Sequence, residues 1–222
     1  MLNLGVLGGL AVDASPSEGE SGLAVCDTIG AENGVLMSTQ IEPIMTIADL
    51  DAMPEDGNRY ELIEGELFVS RSPSLTHQAV SGNLFFGLKN HLLQNPVGEV
   101  WTTPGVIFSE FSAVIPDIVY ISNQRRSEIA SGDRISGAPD LIIEIVSPGT
   151  ENEQRDRIAK RQLYGKYGVN EYWVVDPQQR TIEVYLRANE SLKLQAVLQE
   201  KDELTTSLLP GFICRVAAVF RI

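Results

Sequence analysis

The sequence predicts an α/β domain of about 180 residues, with a mixed β-sheet flanked by helices. Short apolar runs of strand character recur along the chain, among them YELIEGELFV, PDLIIEIVSP and EYWVVD. Two longer segments between them, SPSLTHQAVSGNLFFGLKNHLL and ENEQRDRIAKRQLYGKYG, carry helical periodicity instead. With 222 residues, 43% of them hydrophobic, and a mean hydropathy of -0.01, the chain can bury a sizeable core.

The first 40 residues are rich in Gly, Ser and acids and hold neither a period of 2 nor one of 3.6. A disordered extension is expected there, followed by a folded domain over residues 41–222. Its GVLGG follows no strand and opens no helix, so it is no dinucleotide fingerprint. Met37 begins MSTQIEPIMTIADL, a natural start for a compact domain, and the residues before it read as an extension from a misassigned start codon.

Thr46 followed by Asp49 marks a helix start in TIADLDAMP. In YELIEGELFV, Glu64-Gly65 supplies a two-residue hairpin turn. That register puts Tyr60, Leu62, Leu67 and Val69 on one face, the expected core face, and Glu61, Ile63, Glu66 and Phe68 on the other. The next helix places His77, Val80, Ser81, Leu84, Leu88 and His91 along one side. VWTTPGVIFS and SAVIPDIVYI read as two strands, RRSEIASGDRISG as a polar connection, and PDLIIEIVSP as a strand buried on both faces. After Pro148-Gly149 a helix starts at Thr150 or Glu151 and closes at Gly168. EYWVVD, TIEVYL, LKLQAVL and a stretch in PGFICRVAAVF complete the strands.

A net charge of -13 and a pI near 4.6 argue against gripping nucleic acid by bulk electrostatics, although a small basic cleft can coexist with an acidic exterior. No apolar run approaches the roughly 18 residues of a membrane span, and no Lys or Arg precedes Arg59 to form the basic end of a signal peptide. A cytoplasmic protein without membrane contact is expected. Cys26 and Cys214 give neither a disulfide framework nor a zinc spacing, which fits a reducing compartment.

One residue resists a purely structural reading. Glu144 sits near the middle of PDLIIEIVSP, where an unpaired carboxylate costs several kcal/mol. On a wheel at about 100° per residue, Asp156, Lys160, Leu163, Tyr164 and Tyr167 share the stripe best suited to face the sheet. Lys160 is therefore the expected partner of Glu144. Asp117 interrupts another apolar strand after Pro116, and it converges on Glu144 if the two strands are neighbours. Acids with open water positions favour Mg²⁺ or Mn²⁺ over zinc.

Each of these residues also has an ordinary reading. Glu144 can be a structural acid, Lys160 can extend its ammonium past Tyr164 to water, and Asp156 can form an i,i+4 pair with Lys160. Glu61, beside Glu66, can be solvated, and His77 near a helix start can pack or cap. For Arg125, Arg126, Arg134, Arg155, Arg157 and Arg161, solvated surface is the expectation for most, with phosphate contact the alternative. Tyr172-Trp173 reads as core rather than a stacking platform. GTENEQRD lacks the Gly-Lys-Ser/Thr ending of a phosphate-binding loop.

Taken in order, a PD dipeptide and an apolar strand, then IIEIVSP, then RDRIAKRQLYGKYGVNEYWVVDP resemble the Uma-two family of restriction endonucleases, within the PD-(D/E)XK nuclease superfamily. The resemblance spans about Ile41 to Phe220. It implies a restriction-endonuclease-like fold and a Mg²⁺- or Mn²⁺-dependent endonuclease that hydrolyses phosphodiester bonds in DNA and leaves a 5′-phosphate. Asp117 matches the first metal-binding acid and Glu144 the second. The superfamily's usual lysine, two residues after that acid, is Val146 here, and Lys160 takes its place from the following helix. Glu61 and His77 match recurrent family positions. A homodimer addressing two strands is implied by the same resemblance. The alternative is a non-catalytic nucleic-acid- or protein-binding module that keeps the fold.

Overall fold

A computed structural model describes residues 44–149 and 154–222. The expected N-terminal extension, the domain start at Met37, Cys26 and the helix start at Thr150 or Glu151 lie outside the described residues.

Helix α1 (Ile47–Asp51) opens with a reciprocal cap, in which Thr46 accepts from the Asp49 amide while the Asp49 carboxylate accepts from Thr46. Strands β1 (Arg59–Ile63) and β2 (Glu66–Ser70) then pair in the expected register, with Leu62 opposite Leu67 and Glu61 opposite Phe68. Glu64 at φ 51° and Gly65 at φ 86° make the turn, a geometry that two-residue hairpins require of both central positions. The assignment of faces needs correction. Val69 is 53% exposed on the presumed core face, whereas Glu61 and Ile63 on the other are buried. That second face turns inward because Ile63 packs into a core with Val119 and Ile142, and the carboxylate of Glu61 meets the Lys160 ammonium there.

Helix α2 (Leu75–Gln94) is capped by Ser74, which accepts from the His77 amide, and it buries His77, Val80, Leu84, Leu88 and Leu92. Each of the two strands expected next is broken into two: β3 (Gly98–Thr102) and β4 (Val106–Ser109), then β5 (Ser112–Val114) and β6 (Ile118–Ser122). Pro104 and Pro116 stand at the breaks, where a missing amide donor ends a ladder. The polar connection is more structured than its composition implies, since it forms α3 (Asn123–Ile129), β7 (Ala130–Ser131) and β8 (Arg134–Ser136).

Strand β9 (Leu141–Ile145) is buried throughout, as expected. Behind it, Arg155–Lys160 is a π-helical segment that passes into α4 (Arg161–Tyr167), closed by Gly168 at φ 99°. A uniform α-helix was the expectation. The i→i+5 bonding of a π turn is an irregularity that recurs at functional sites. Strands β10 (Glu171–Asp176), β11 (Thr181–Ala188) and β12 (Ser191–Gln199) follow, then a ribbon of β13 (Glu203–Leu204) with β14 (Cys214–Arg215), and helix α5 (Val216–Val219).

The strands form two six-stranded sheets, ordered β2-β1-β5-β4-β8-β7 and β12-β11-β10-β9-β6-β3. Both are mixed, since β9–β10 and β4–β8 are parallel among antiparallel neighbours. One core packs Leu84, Leu88 and Val216 against Leu141, Ile143 and Trp173. The other joins Ile63 and Val114 of the first sheet to Val119, Ile142 and Val174 of the second, together with Leu163 and Tyr164. Alternation along β6 and β9 directs Asp117 and Glu144 toward this second core. No helix among the described residues is long and apolar enough to cross a membrane.

Candidate active site

Strands β6 and β9 run antiparallel side by side, with Ile118 opposite Ile143. One step further along the register, Asp117 lies across from Glu144. Oδ2 of Asp117 accepts from the Ile145 amide at 2.8 Å, which ties the acid directly to the neighbouring strand. The same oxygen lies 3.1 Å from His77 Nε2 at the start of α2, and Arg59 stands 3.5 Å from Oδ1.

Glu144 is 4% exposed, and its Oε1 accepts from Lys160 Nζ at 2.9 Å and from the Tyr164 hydroxyl at 2.7 Å. Lys160, 2% exposed, also donates to Glu61 Oε1 at 2.8 Å and lies 3.9 Å from Asp156. Glu61 is fixed in turn by the Ile115 amide at 2.8 Å. Lys160 thus ends inside the protein and does not reach past Tyr164 to water, and Glu61 is not solvated.

These five expected residues, Asp117, Glu144, Lys160, Glu61 and His77, line one pocket of about 360 Å³. Arg59, Arg71, Arg155 and Asp156 line it too. Its four acids (Glu61, Asp117, Glu144 and Asp156) are buried together with Lys160 and His77, whereas Arg59 and Arg155 are partly exposed. The consequence is electrostatic. Burial, with Asp117, Asp156 and Glu61 close by, raises the Glu144 pKa to about 8 despite Lys160. Burial raises Asp156 as well, against the pull of Lys160 and Arg155. Asp117 behaves differently: burial pushes it up, but His77, the Ile145 amide and Lys160 together hold it below the usual carboxylate range. Burial works against the charge of Lys160, yet Glu144, Glu61 and Asp156 hold its pKa far above the ordinary value.

A divalent cation fits this donor set. Among the described residues no three His, Cys, Asp or Glu side chains form a complete protein cage. Two carboxylates from adjacent strands in an acid-rich pocket match Mg²⁺, which keeps several waters and takes few protein ligands. A divalent ion beside Glu144 would favour its ionised form, which burial and the neighbouring acids oppose.

Other expected residues lie elsewhere. Arg125 bonds the Ala138 carbonyl and faces Asp140, Arg126 pairs with Glu99, and Arg134 with Asp51. Arg157 pairs with Asp176 and Glu183, while Arg161 lies over the Tyr185 ring. Of these six arginines only Arg155 lines the pocket. Tyr172 and Trp173 are core, both fully buried. Arg59 escaped sequence reasoning, although it shares strand parity with Glu61. The second PD pair, Pro139-Asp140, is structural: Asp140 accepts from the Ser122 amide and Asn170, away from the pocket.

The family model described as "Putative restriction endonuclease", Uma2, matches residues 47–217. Among solved structures, the crystal structure of "a putative nuclease belonging to DUF820" from Anabaena variabilis ATCC 29413 aligns with a TM-score of 0.64 at 19% identity. The alignment covers 79% of this chain and 97% of that one, a likeness of fold. No curated protein matches. With most of its length matched by the family model, the chain belongs to the Uma2 family.

Proposed function

We propose that this protein is an endonuclease that hydrolyses phosphodiester bonds in DNA, with Asp117 and Glu144 holding Mg²⁺ or Mn²⁺. The observation that carries this reading is the meeting of Asp117, just before β6, with Glu144 of β9 and Lys160 of the π-helical segment in one pocket. When bound, such an ion supplies Lewis acidity to the phosphate and to an attacking water.

The protein's own groups divide the remaining work. Lys160 keeps its proton among three acids and serves as a fixed positive charge where phosphate oxygens gain negative charge, not as a base. Glu61, anchored on the Ile115 amide, positions that ammonium. Tyr164 orients Glu144, and His77 orients Asp117. Arg59 and Arg155, both partly exposed, offer guanidinium groups to the incoming phosphodiester. These guanidinium groups place local positive charge beside the pocket's acids on an otherwise acidic chain.

The test incubates supercoiled plasmid, single-stranded DNA and RNA with the protein and Mg²⁺ or Mn²⁺, with Lys160→Ala as control. Cleavage by the wild type that is lost in the variant is expected. Equal cleavage by both proteins would identify a contaminant. No cleavage by either would favour the non-catalytic binding module.

A further inference from the structure

A second groove, of about 580 Å³, opens between β2 and the π-helical segment. It shares Val69 and Arg155 with the candidate active-site pocket, so the two adjoin. We infer that this groove seats the base of an unpaired nucleotide adjacent to the cleaved phosphate, which makes single-stranded or locally opened DNA the preferred substrate. The inference rests on the nuclease reading and assigns that site its substrate class.

The lining is suited to a flat heteroaromatic ring. Val69 and Ile158 are 53% and 49% exposed, apolar surface that a base would remove from water. Phe68 and Ala159 lie beside them. Gln154 and Gln162 stand four residues before and after Ile158 on the same helical stretch, both exposed. Their amides provide donors and acceptors to the polar edge of any base, as a site without strict sequence choice requires. Arg155 lies at the junction and, among the described residues, bonds Asp156 through Nε at 3.1 Å. That position suits a phosphate running from the groove into the pocket.

The volume suits a single base. Pockets of about 300–1,000 Å³ hold ligands of small-molecule size, and a paired base cannot enter one without leaving the stack. Flipping it out costs a few kcal/mol, which a single strand avoids.

The test uses the full chain with Mn²⁺ and one DNA sequence in three forms: single-stranded, duplex, and single-stranded with an abasic site moved stepwise past the cleavage position. Wild type is expected to favour the single strand over the duplex at least tenfold in kcat/KM. It should also lose about tenfold when one flanking base is missing. Ile158→Glu, at a half-exposed position, should raise KM on the intact strand about tenfold and show no further loss on the abasic one. A second readout is independent of turnover: with Ca²⁺ in place of Mn²⁺, a 2-aminopurine at the flanking position should change fluorescence with wild type and not with Ile158→Glu. Cleavage that ignores the abasic site and the variant would overturn the groove assignment and leave the nuclease reading intact. Failure of wild type to cleave any form would instead overturn the nuclease reading, and an unchanged 2-aminopurine signal the groove.

Discussion

Replacing Lys160 by methionine removes the buried cation and keeps most of its volume. The ammonium lies 2.8 Å from Glu61, 2.9 Å from Glu144 and 3.9 Å from Asp156, all four side chains being nearly inaccessible. At an effective dielectric of about 20, one contact near 3 Å amounts to roughly 5 kcal/mol of attraction, most of it offset by the desolvation of both partners. Removing one partner leaves the other charges buried without compensation, a loss of about 3–5 kcal/mol. Against a total stability of about 5–15 kcal/mol this is large and easily measured.

The loss should depend on pH in a defined direction. In the folded protein burial raises the Glu144 pKa to about 8, above its ordinary value of 4.5. The folded state therefore holds a proton that the unfolded chain releases between those values, and this contribution fades as pH rises through 8. With Lys160→Met, urea titrations at pH 6 and pH 9 should show the greater destabilisation at pH 9, where the acids must ionise without a counter-charge. A variant within about 1 kcal/mol of wild type at both values would refute the idea that Lys160 compensates these carboxylates.

Three further outcomes follow from the same geometry. Tyr164→Phe deletes the 2.7 Å bond to Glu144 and should cost about 1.5–3 kcal/mol by urea titration while far-ultraviolet circular dichroism stays unchanged. Gly165→Ala would set a methyl group 3.0 Å from the Ser191 Cα and 3.1 Å from the Leu192 amide, so about 1–3 kcal/mol of overpacking should appear as a lower Tm. Glu171 is raised by burial despite hydrogen bonds from Thr206 and Trp173, so wild-type stability should fall as pH rises from its ordinary value of 4.5 through the raised one. Glutamine can keep both partners, accepting from Trp173 and donating to Thr206, and Glu171→Gln should flatten that part of the pH profile.

Much of this was legible in the residues because the signals are local. The Glu64-Gly65 hairpin, the Thr46 cap and the buried faces of α2 and β9 follow from turn chemistry and periodicity. The tension posed by Glu144 was legible too, since an acid among isoleucines demands a partner. The direction in which the hairpin buries its faces was not, because Glu61 looks solvated until β5 pairs with β1 and Lys160 arrives from a helix 99 positions away in the chain. The π-helical segment was equally hidden. A regular wheel places Asp156, Lys160 and Tyr164 on one stripe, but nothing in RDRIAK announces i→i+5 bonding. Arg59 went unnoticed for a related reason: at the start of a strand it resembles surface charge until the fold sets it against Asp117. The α3 segment was missed because its polar composition resembles a loop, and its Ser122 cap lies in the preceding strand.

Whether Asp117 and Glu144 jointly hold a divalent ion is measured most directly by Mn²⁺ binding followed by electron paramagnetic resonance, without any substrate. Wild type should bind Mn²⁺ at a single tight site, and the double replacement Asp117→Asn with Glu144→Gln should weaken it at least tenfold. Equal affinity in both proteins would contradict the proposed metal centre.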